Sequence, residues 1–178
     1  NEIDIIPLTG ASASTTALVI SGFSAKRFCF EGILSTNKKE RRERLKLLAT
    51  EPRTIIIYEA PHKLLGTLDD IKLYLGNRNI SISRELTKKF EETIRGNIEE
   101  GIVFFQDRNI KGEFVLVIEG INEKELIDIE QKKWDNVTIE EHLDLYAQQG
   151  FTKKEAIAKV AEDRKLSKKE VYKVAIDI

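Results

Sequence analysis

The sequence offers little redox or metal chemistry. Its 178 residues hold one cysteine, two histidines, one tryptophan and no methionine. A single thiol, Cys29, excludes an internal disulfide and fits a reducing compartment, so a cytoplasmic location is expected. Cys29, His62 and His142 fall in separate segments without zinc-type spacing. They are read as packing or surface residues, and no metal is expected. The stretch "GASAS" is not a nucleophile elbow, which removes support for Ser–His–Asp catalysis. No apolar run approaches the ~20 residues of a membrane span, and no signal-peptide pattern opens the chain. Charge of one sign is lacking too. With 29 Lys+Arg against 30 Asp+Glu, the net charge of −1 identifies no partner, so any charge argument must be local. The opening at Asn1, with no methionine anywhere, leads to the expectation of a fragment whose upstream portion is missing.

A hydrophobic content of 41% beside 33% charged residues describes a folded globular chain. Along it, Ile3, Ile5 and Ile6 read as the end of a buried strand, followed by a Pro–Gly turn and a helix from about Ser14. "KRFCFEGIL" reads as a short strand and "NKKERRERLKLLATEP" as an exposed helix that stops at Pro52. "RTIIIYEA" is a near-continuous apolar run of strand length, as in a strand covered on both faces. "PHKLLGTLDDIKLYLG" starts with Pro in the first helical turn and ends with Gly76 as a C-cap. "NISISRE" and "EETIRG" read as strands, "NIEEGIVFFQDR" as a helix and "GEFVLVIEG" as a last core strand. Alternation of this kind predicts an α/β layer fold with a mixed sheet over residues 1–120.

After residue 120 the pattern changes. Residues 121–137 form a polar connector or connecting helix, and residues 138–178 carry three capping boxes: Thr138/Glu141, Thr152/Glu155 and Ser167/Glu170. In each, hydroxyl and carboxylate reciprocally satisfy free N–H groups at a helix start. Ile139, Leu143, Tyr146, Ile157, Val160 and Val171 can then meet in one small core. The expectation is a three-helix module, closed after its first helix by Gly150, whose last two helices have helix-turn-helix proportions.

Two segments could carry chemistry. "PLTGASAS" lets backbone approach a ligand closely, although tight strand–helix packing is the plainer reading of these residues by themselves. "YEAPHKL" places Tyr58 and Glu59 at the carboxyl end of a core strand, where open α/β sheets bind ligands. A helix start with Glu59 near its positive end is the plainer alternative.

Taken in order, "PLTGASASTTALVISG", "RFCFEGIL…KKERRERL", "RTIIIYEAPHKLLGTLDDI", "RELTKKFEETIRG" and "KGEFVLVIEG" resemble the later two-thirds of the bacterial small-subunit ribosomal RNA 2′-O-methyltransferase I family, within the tetrapyrrole methylase superfamily. The helical tail is similar to that family's C-terminal module. The resemblance implies the C-terminal half of an αβα fold, S-adenosylmethionine as methyl donor, and a homodimer. It implies a small-ribosomal-subunit cytidine ribose as acceptor. It carries donor contacts to Gly10, Ser12, Ala13, Tyr58, Glu59 and Gly96. The family's first domain, with its "GTPIGN"-like loop and acidic "GD" donor loop, has no counterpart in this sequence, so a chain of these residues alone is expected to be inactive.

Within that resemblance, the charged stretch "SRELTKKFEETIRG" becomes a loop beside the donor. Arg84, Lys89 and Arg95 are candidates for RNA phosphates, and Glu85 and Lys88 are candidate catalytic groups, Glu85 as proton acceptor. A solvated hairpin whose charges pair with one another is the plainer reading. Two further basic stretches point to an RNA backbone: seven Lys/Arg against three acids in 37–53, and eight against four in 152–173. In the second, Lys153, Lys154, Lys168, Lys169 and Lys173 are candidates for docking the ribosomal subunit. The alternatives are a porphyrin or corrin C-methyltransferase, and a non-enzymatic nucleic-acid-binding protein that uses only the terminal helices.

Overall fold

The computed structural model describes Gly10 and residues 12–176; the expected strand around Ile3, Ile5 and Ile6 lies outside the described residues. Two compact units make up the chain, Asn1–Ile121 and Asn122–Ile178. In the first, the order is α1 (Ala13–Ser21), β1 (Phe28–Ile33), α2 (Lys38–Leu48), β2 (Thr54–Glu59), α3 (Leu64–Leu75), β3 (Asn79–Arg84), β4 (Glu92–Asn97), α4 (Ile98–Gln106) and β5 (Phe114–Ile118). The strands form one mixed sheet in the order β1-β2-β5-β3-β4. β1 runs parallel to β2, and the remaining neighbours are antiparallel.

The unbroken apolar run of β2 follows from its central place, because both of its faces are covered. Side chains alternate between those faces. Ile55 and Ile57 turn toward Leu45 of α2, Leu64 and Leu68 of α3 and Phe105 of α4. Ile56 and Tyr58 turn the other way, with Val115 and Val117, toward Ala17 and Leu18 of α1. Each fully buried Ile or Leu here stabilises by about 1.5–3 kcal/mol relative to exposure.

A buried ion cluster fastens α2 to α3. Asp70 is 3% exposed, and its Oδ2 accepts from Arg41 Nε at 2.9 Å and Arg41 Nη2 at 2.6 Å. Its Oδ1 accepts from Arg42 Nε at 2.9 Å. Burial alone would raise the Asp70 carboxyl, but the hydrogen bonds and charges of the two arginines outweigh it and hold the group below the usual carboxylate range.

The second unit comprises α5 (Glu123–Lys132), α6 (Ile139–Gln148), α7 (Lys153–Asp163) and α8 (Lys168–Ile176). Thr138 and Thr152 form capping boxes with Glu141 and Glu155. Ser167 and Glu170 exchange the same pair of bonds at the start of α8. Gly150 takes φ 89° just past α6, the left-handed position that favours glycine. Leu143, Ile157, Val160 and Val171 meet in the core between α6, α7 and α8. His142 is fully buried, stacked on Trp134 at 3.5 Å and beside Tyr146 at 5.3 Å.

Candidate functional site

Strand register decides which of the expected residues can meet. Glu59 of β2 pairs with Phe114 of β5, Phe114 with Arg84 of β3, and Arg84 with Glu92 of β4. These four residues form one rim of the sheet. The β3–β4 loop, residues 85–91, leaves from this rim, and the segment from α4 re-enters there through Gly112 and Glu113. The start of α1 joins it: the Ser14 backbone N–H donates to the Tyr58 hydroxyl at 3.0 Å. Ser12 stands at the helix N-cap but makes no side-chain capping bond; its hydroxyl lies 2.8 Å from that of Ser14. Phe30 of β1 meets the Tyr58 ring edge-on at 4.9 Å. Gly10, Ser12 and Ala13 are exposed or partly exposed small residues, and nothing stands within 4 Å of a Cβ built on Gly10. Ser12, Ala13, Ser14 and Tyr58 therefore share one corner of the molecule.

Gly96 does not share it. It pairs with Ile80, Ile80 with Ile118, and Ile118 with Ile55, three residues along the strands from the Tyr58 level. That separation is roughly 10 Å along the strands and 14 Å across them, on the opposite rim. The room around Gly96 is filled from within: a Cβ there would lie 2.3 Å from Glu100 Oε2, which reaches back to the Asn97 N–H. The glycine thus makes space for the Asn97/Glu100 capping box that starts α4. The pattern N-x-x-E in "NIEE" is the sequence signal for this box, which the reading of the chain above missed.

Glu59 sits at the rim but faces inward. Its side chain is fully buried, accepting from the Ala60 N–H at 2.8 Å and the Thr67 hydroxyl at 2.6 Å, with Lys63 Nζ at 2.9 Å. Tyr58 and Glu59 are neighbours in a strand, so period 2 sends them to opposite faces. Glu59 anchors the start of α3, and its carboxylate does not reach the corner where Tyr58 lies.

The charged stretch is the tip of the β3–β4 hairpin, and its charges pair largely with each other. Glu85 Oε1 accepts from the Glu113 N–H at 2.9 Å and from Lys88 Nζ at 3.2 Å; Lys88 Nζ also reaches Glu113 Oε2 at 2.9 Å. Glu91 Oε2 accepts from the Thr87 N–H at 2.6 Å. The Glu113 N–H and then Lys88 hold the Glu85 carboxyl below its ordinary range, while Glu113 and Glu85 raise Lys88. A carboxylate stabilised in this way is a poor proton acceptor. Glu85 and Lys88 brace the hairpin against β5 instead. Gly112 completes the brace: it adopts φ +90°, and a Cβ there would meet Glu85 Cγ at 2.6 Å. No pattern in the sequence marked Gly112 and Glu113, because their partner lies 28 residues upstream of Glu113.

The cations separate into engaged and free. Arg95 donates through Nε to the Ile20 carbonyl at 2.9 Å, capping the end of α1 rather than reaching outward. Arg84 lies 3.7 Å from Glu92, which also faces Arg108 at 3.6 Å. In the 37–53 stretch, Arg41 and Arg42 are spent on Asp70, Arg44 on Glu31, Lys46 on Glu43 and Arg53 on Glu51, which removes most of its apparent excess. Lys89, Lys153, Lys154, Lys168, Lys169 and Lys173 are exposed and have no ion pair among the described residues. Among the described residues, no group of three or more His, Cys, Asp or Glu could hold a metal ion. No helix among them is long and apolar enough to cross a membrane.

Comparison with known proteins adds the family. A model of the Tetrapyrrole (Corrin/Porphyrin) Methylases matches residues 1–101. Ribosomal RNA small subunit methyltransferase I of Bacillus subtilis (strain 168) is 47% identical over 168 residues, covering 94% of this chain and 57% of that protein. The protein of the same name from Halalkalibacterium halodurans is 44% identical over 172 residues, covering 97% of this chain and 59% of that one. The one from Synechocystis is 38% identical over 178 residues, covering 99% of this chain and 62% of that one. The chain therefore spans about three-fifths of the length of these relatives. Among solved structures, the methyltransferase CobJ superposes with a TM-score of 0.46 at 16% identity, over 62% of this chain and 48% of that one.

Proposed function

This chain belongs to the tetrapyrrole (corrin/porphyrin) methylase family, and on that premise we propose that the protein carrying it methylates the 2′-oxygen of a cytidine ribose in small-subunit ribosomal RNA. The observation that carries the proposal is the corner where α1 begins on the Tyr58 hydroxyl. Small side chains at Gly10, Ser12 and Ala13 leave backbone accessible there, as a nucleoside donor requires, and Tyr58 fixes the start of α1 from below. These residues fit S-adenosylmethionine; when bound, it would supply a methyl group on a positively charged sulfur. Ser12, Ala13 and Tyr58 would hold the donor, with Ser14 orienting Tyr58. Gly96 and the Glu59 carboxylate are left out for the reasons of register and burial given above.

Methyl transfer to a hydroxyl is an in-line displacement, so most of what a protein contributes is alignment of the reacting oxygen. Glu85 and Lys88 act here as positioning residues: they brace the 85–91 loop, which leaves the same rim of the sheet, and the exposed Lys89, which makes no ion pair among the described residues, would meet a phosphate there. The α/β unit would provide the donor side of the site and the helical unit a contact to RNA. A homodimer and a cytoplasmic location accompany the proposal.

The test is product analysis. The natural gene product that contains these residues is incubated with methyl-labelled S-adenosylmethionine and either small ribosomal subunits or uroporphyrinogen. Label recovered as 2′-O-methylcytidine after nuclease digestion is the expected result. Label on the macrocycle, or on a base carbon or nitrogen, would overturn the proposal and favour another branch of the family.

A further inference from the structure

The helical unit carries an open groove of about 640 Å³ between the first turns of α7 and α8. Its rim is cationic: Lys153 and Lys154 on one side, Lys168 and Lys169 on the other. The carboxylates nearest these lysines in sequence turn back to the helix caps and make no ion pair with the four lysines. Glu155 accepts from the Thr152 N–H at 2.9 Å and hydroxyl at 2.7 Å, and Glu170 from the Ser167 N–H at 2.8 Å and hydroxyl at 2.6 Å. The floor is apolar, formed by Ile157, Ala158 and the ring of Tyr172. Tyr172 is 53% exposed and has no ring contact among the described residues. Tyr146, by contrast, is engaged with His142, Phe151 and Asp163.

Lysines alone would fit any polyanion, duplex or single-stranded. An uncommitted aromatic face between two lysine pairs fits an unpaired base flanked by phosphates, since a base inside a duplex offers no open face for stacking. We propose that this groove binds single-stranded RNA, with Tyr172 stacking on one unpaired base and Lys153, Lys154, Lys168 and Lys169 holding the adjoining phosphates. The proposal deepens the RNA reading above and rests on it. It assigns to the helical unit a preference for loop or unwound RNA rather than for helical stems.

Fluorescence anisotropy on the full chain tests it. The probes are a labelled oligocytidine of about 12 nucleotides, a length within the range of single-strand sites, and an RNA duplex of the same length. The wild-type chain is expected to prefer the single strand. Tyr172→Ala is expected to weaken that binding about five- to a hundredfold without changing its salt dependence, and Tyr172→Phe to stay within about twofold of wild type. Tyr172→Leu keeps apolar bulk without a stacking face and should resemble the alanine variant, with circular dichroism showing all three folded. Replacing the four lysines by alanine should lower the slope of log affinity against log salt by roughly 3. Wild-type affinity in Tyr172→Leu would overturn stacking. An unchanged slope in the lysine variant would overturn the groove and leave the RNA reading standing. Binding of neither probe by the wild-type chain would overturn both.

Discussion

Replacing Asp70 by asparagine is expected to destabilise the α/β unit by about 3–5 kcal/mol, a large share of the 5–15 kcal/mol typical of a whole domain. Three hydrogen bonds from Arg41 and Arg42 end on this one carboxylate. Arg41 is 9% exposed, so it would be left as a buried charge without its counter-ion. The amide keeps only one accepting atom, and its NH2 group sets donors against the donors of one of the two arginines. Replacing Arg41 and Asp70 together by apolar residues of similar size should cost much less than Asp70→Asn alone, because no buried charge then remains. Urea unfolding followed by circular dichroism checks both. The acid limb follows from the same contacts. The folded carboxyl titrates below its ordinary value, so its contribution is complete above the unfolded value of about 3.9 and is lost as pH falls through the folded one. Wild type should lose stability there, and the asparagine variant should lack that part of the loss.

Arg164→Ala should be nearly as damaging to the helical unit, at about 2–4 kcal/mol. The Arg164 guanidinium donates to the Val137 and Thr138 carbonyls and to His142 Nδ1, the last at 3.1 Å. By accepting at Nδ1, His142 is a neutral imidazole with its proton on Nε2, which lies 3.2 Å from Asp163 Oδ2 without the alignment of a hydrogen bond. Burial first, and then the Arg164 charge, push the His142 pKa below its ordinary 6.5; Asp163 pulls the other way and is outweighed. A depressed histidine favours the unfolded state once that state takes up a proton. Stability of the helical unit should therefore be full above about pH 6.5 and fall as pH drops below it, levelling off below the folded pKa. Trp134 is the sole tryptophan, and it stacks on this imidazole, so its fluorescence during urea unfolding at neutral and mildly acidic pH reports the unit directly. An unfolding midpoint independent of pH between 7.5 and 5.5 would show that the imidazole is not held neutral.

What could be read from the chain, and what could not, divides by distance along it. The boxes at Thr138, Thr152 and Ser167 were visible because a cap and its partner lie three residues apart. The unbroken apolar run in "RTIIIYEA" revealed a strand covered on both faces, and the helical tail followed from its caps and apolar spacing. The family resemblance grouped Gly96 with Tyr58 as a donor contact, and local patterns carry no register to check it; β2, β5, β3 and β4 had to be paired before the two residues could be assigned to opposite rims. The excess of cations in 37–53 disappeared for the same reason, since Arg42 and Asp70 are 28 residues apart and Arg44 and Glu31 are 13 apart. The inward turn of Glu59 was within reach of the sequence. Alternation from Ile55 and Ile57 places it on the α3 face, while Ile56 and Tyr58 go to α1.

The corner formed by α1 and Tyr58 is tested most directly by calorimetric titration of S-adenosylmethionine into the protein. Tyr58→Ala should weaken donor binding by about tenfold or more, ~1.4 kcal/mol, and Tyr58→Phe by less, since the ring against Phe30 is kept and only the bond to Ser14 is lost. The four-lysine variant of the helical unit should bind donor as wild type does. Equal donor affinity in wild type and a folded Tyr58→Ala protein would place the nucleoside elsewhere and contradict the assignment of this corner.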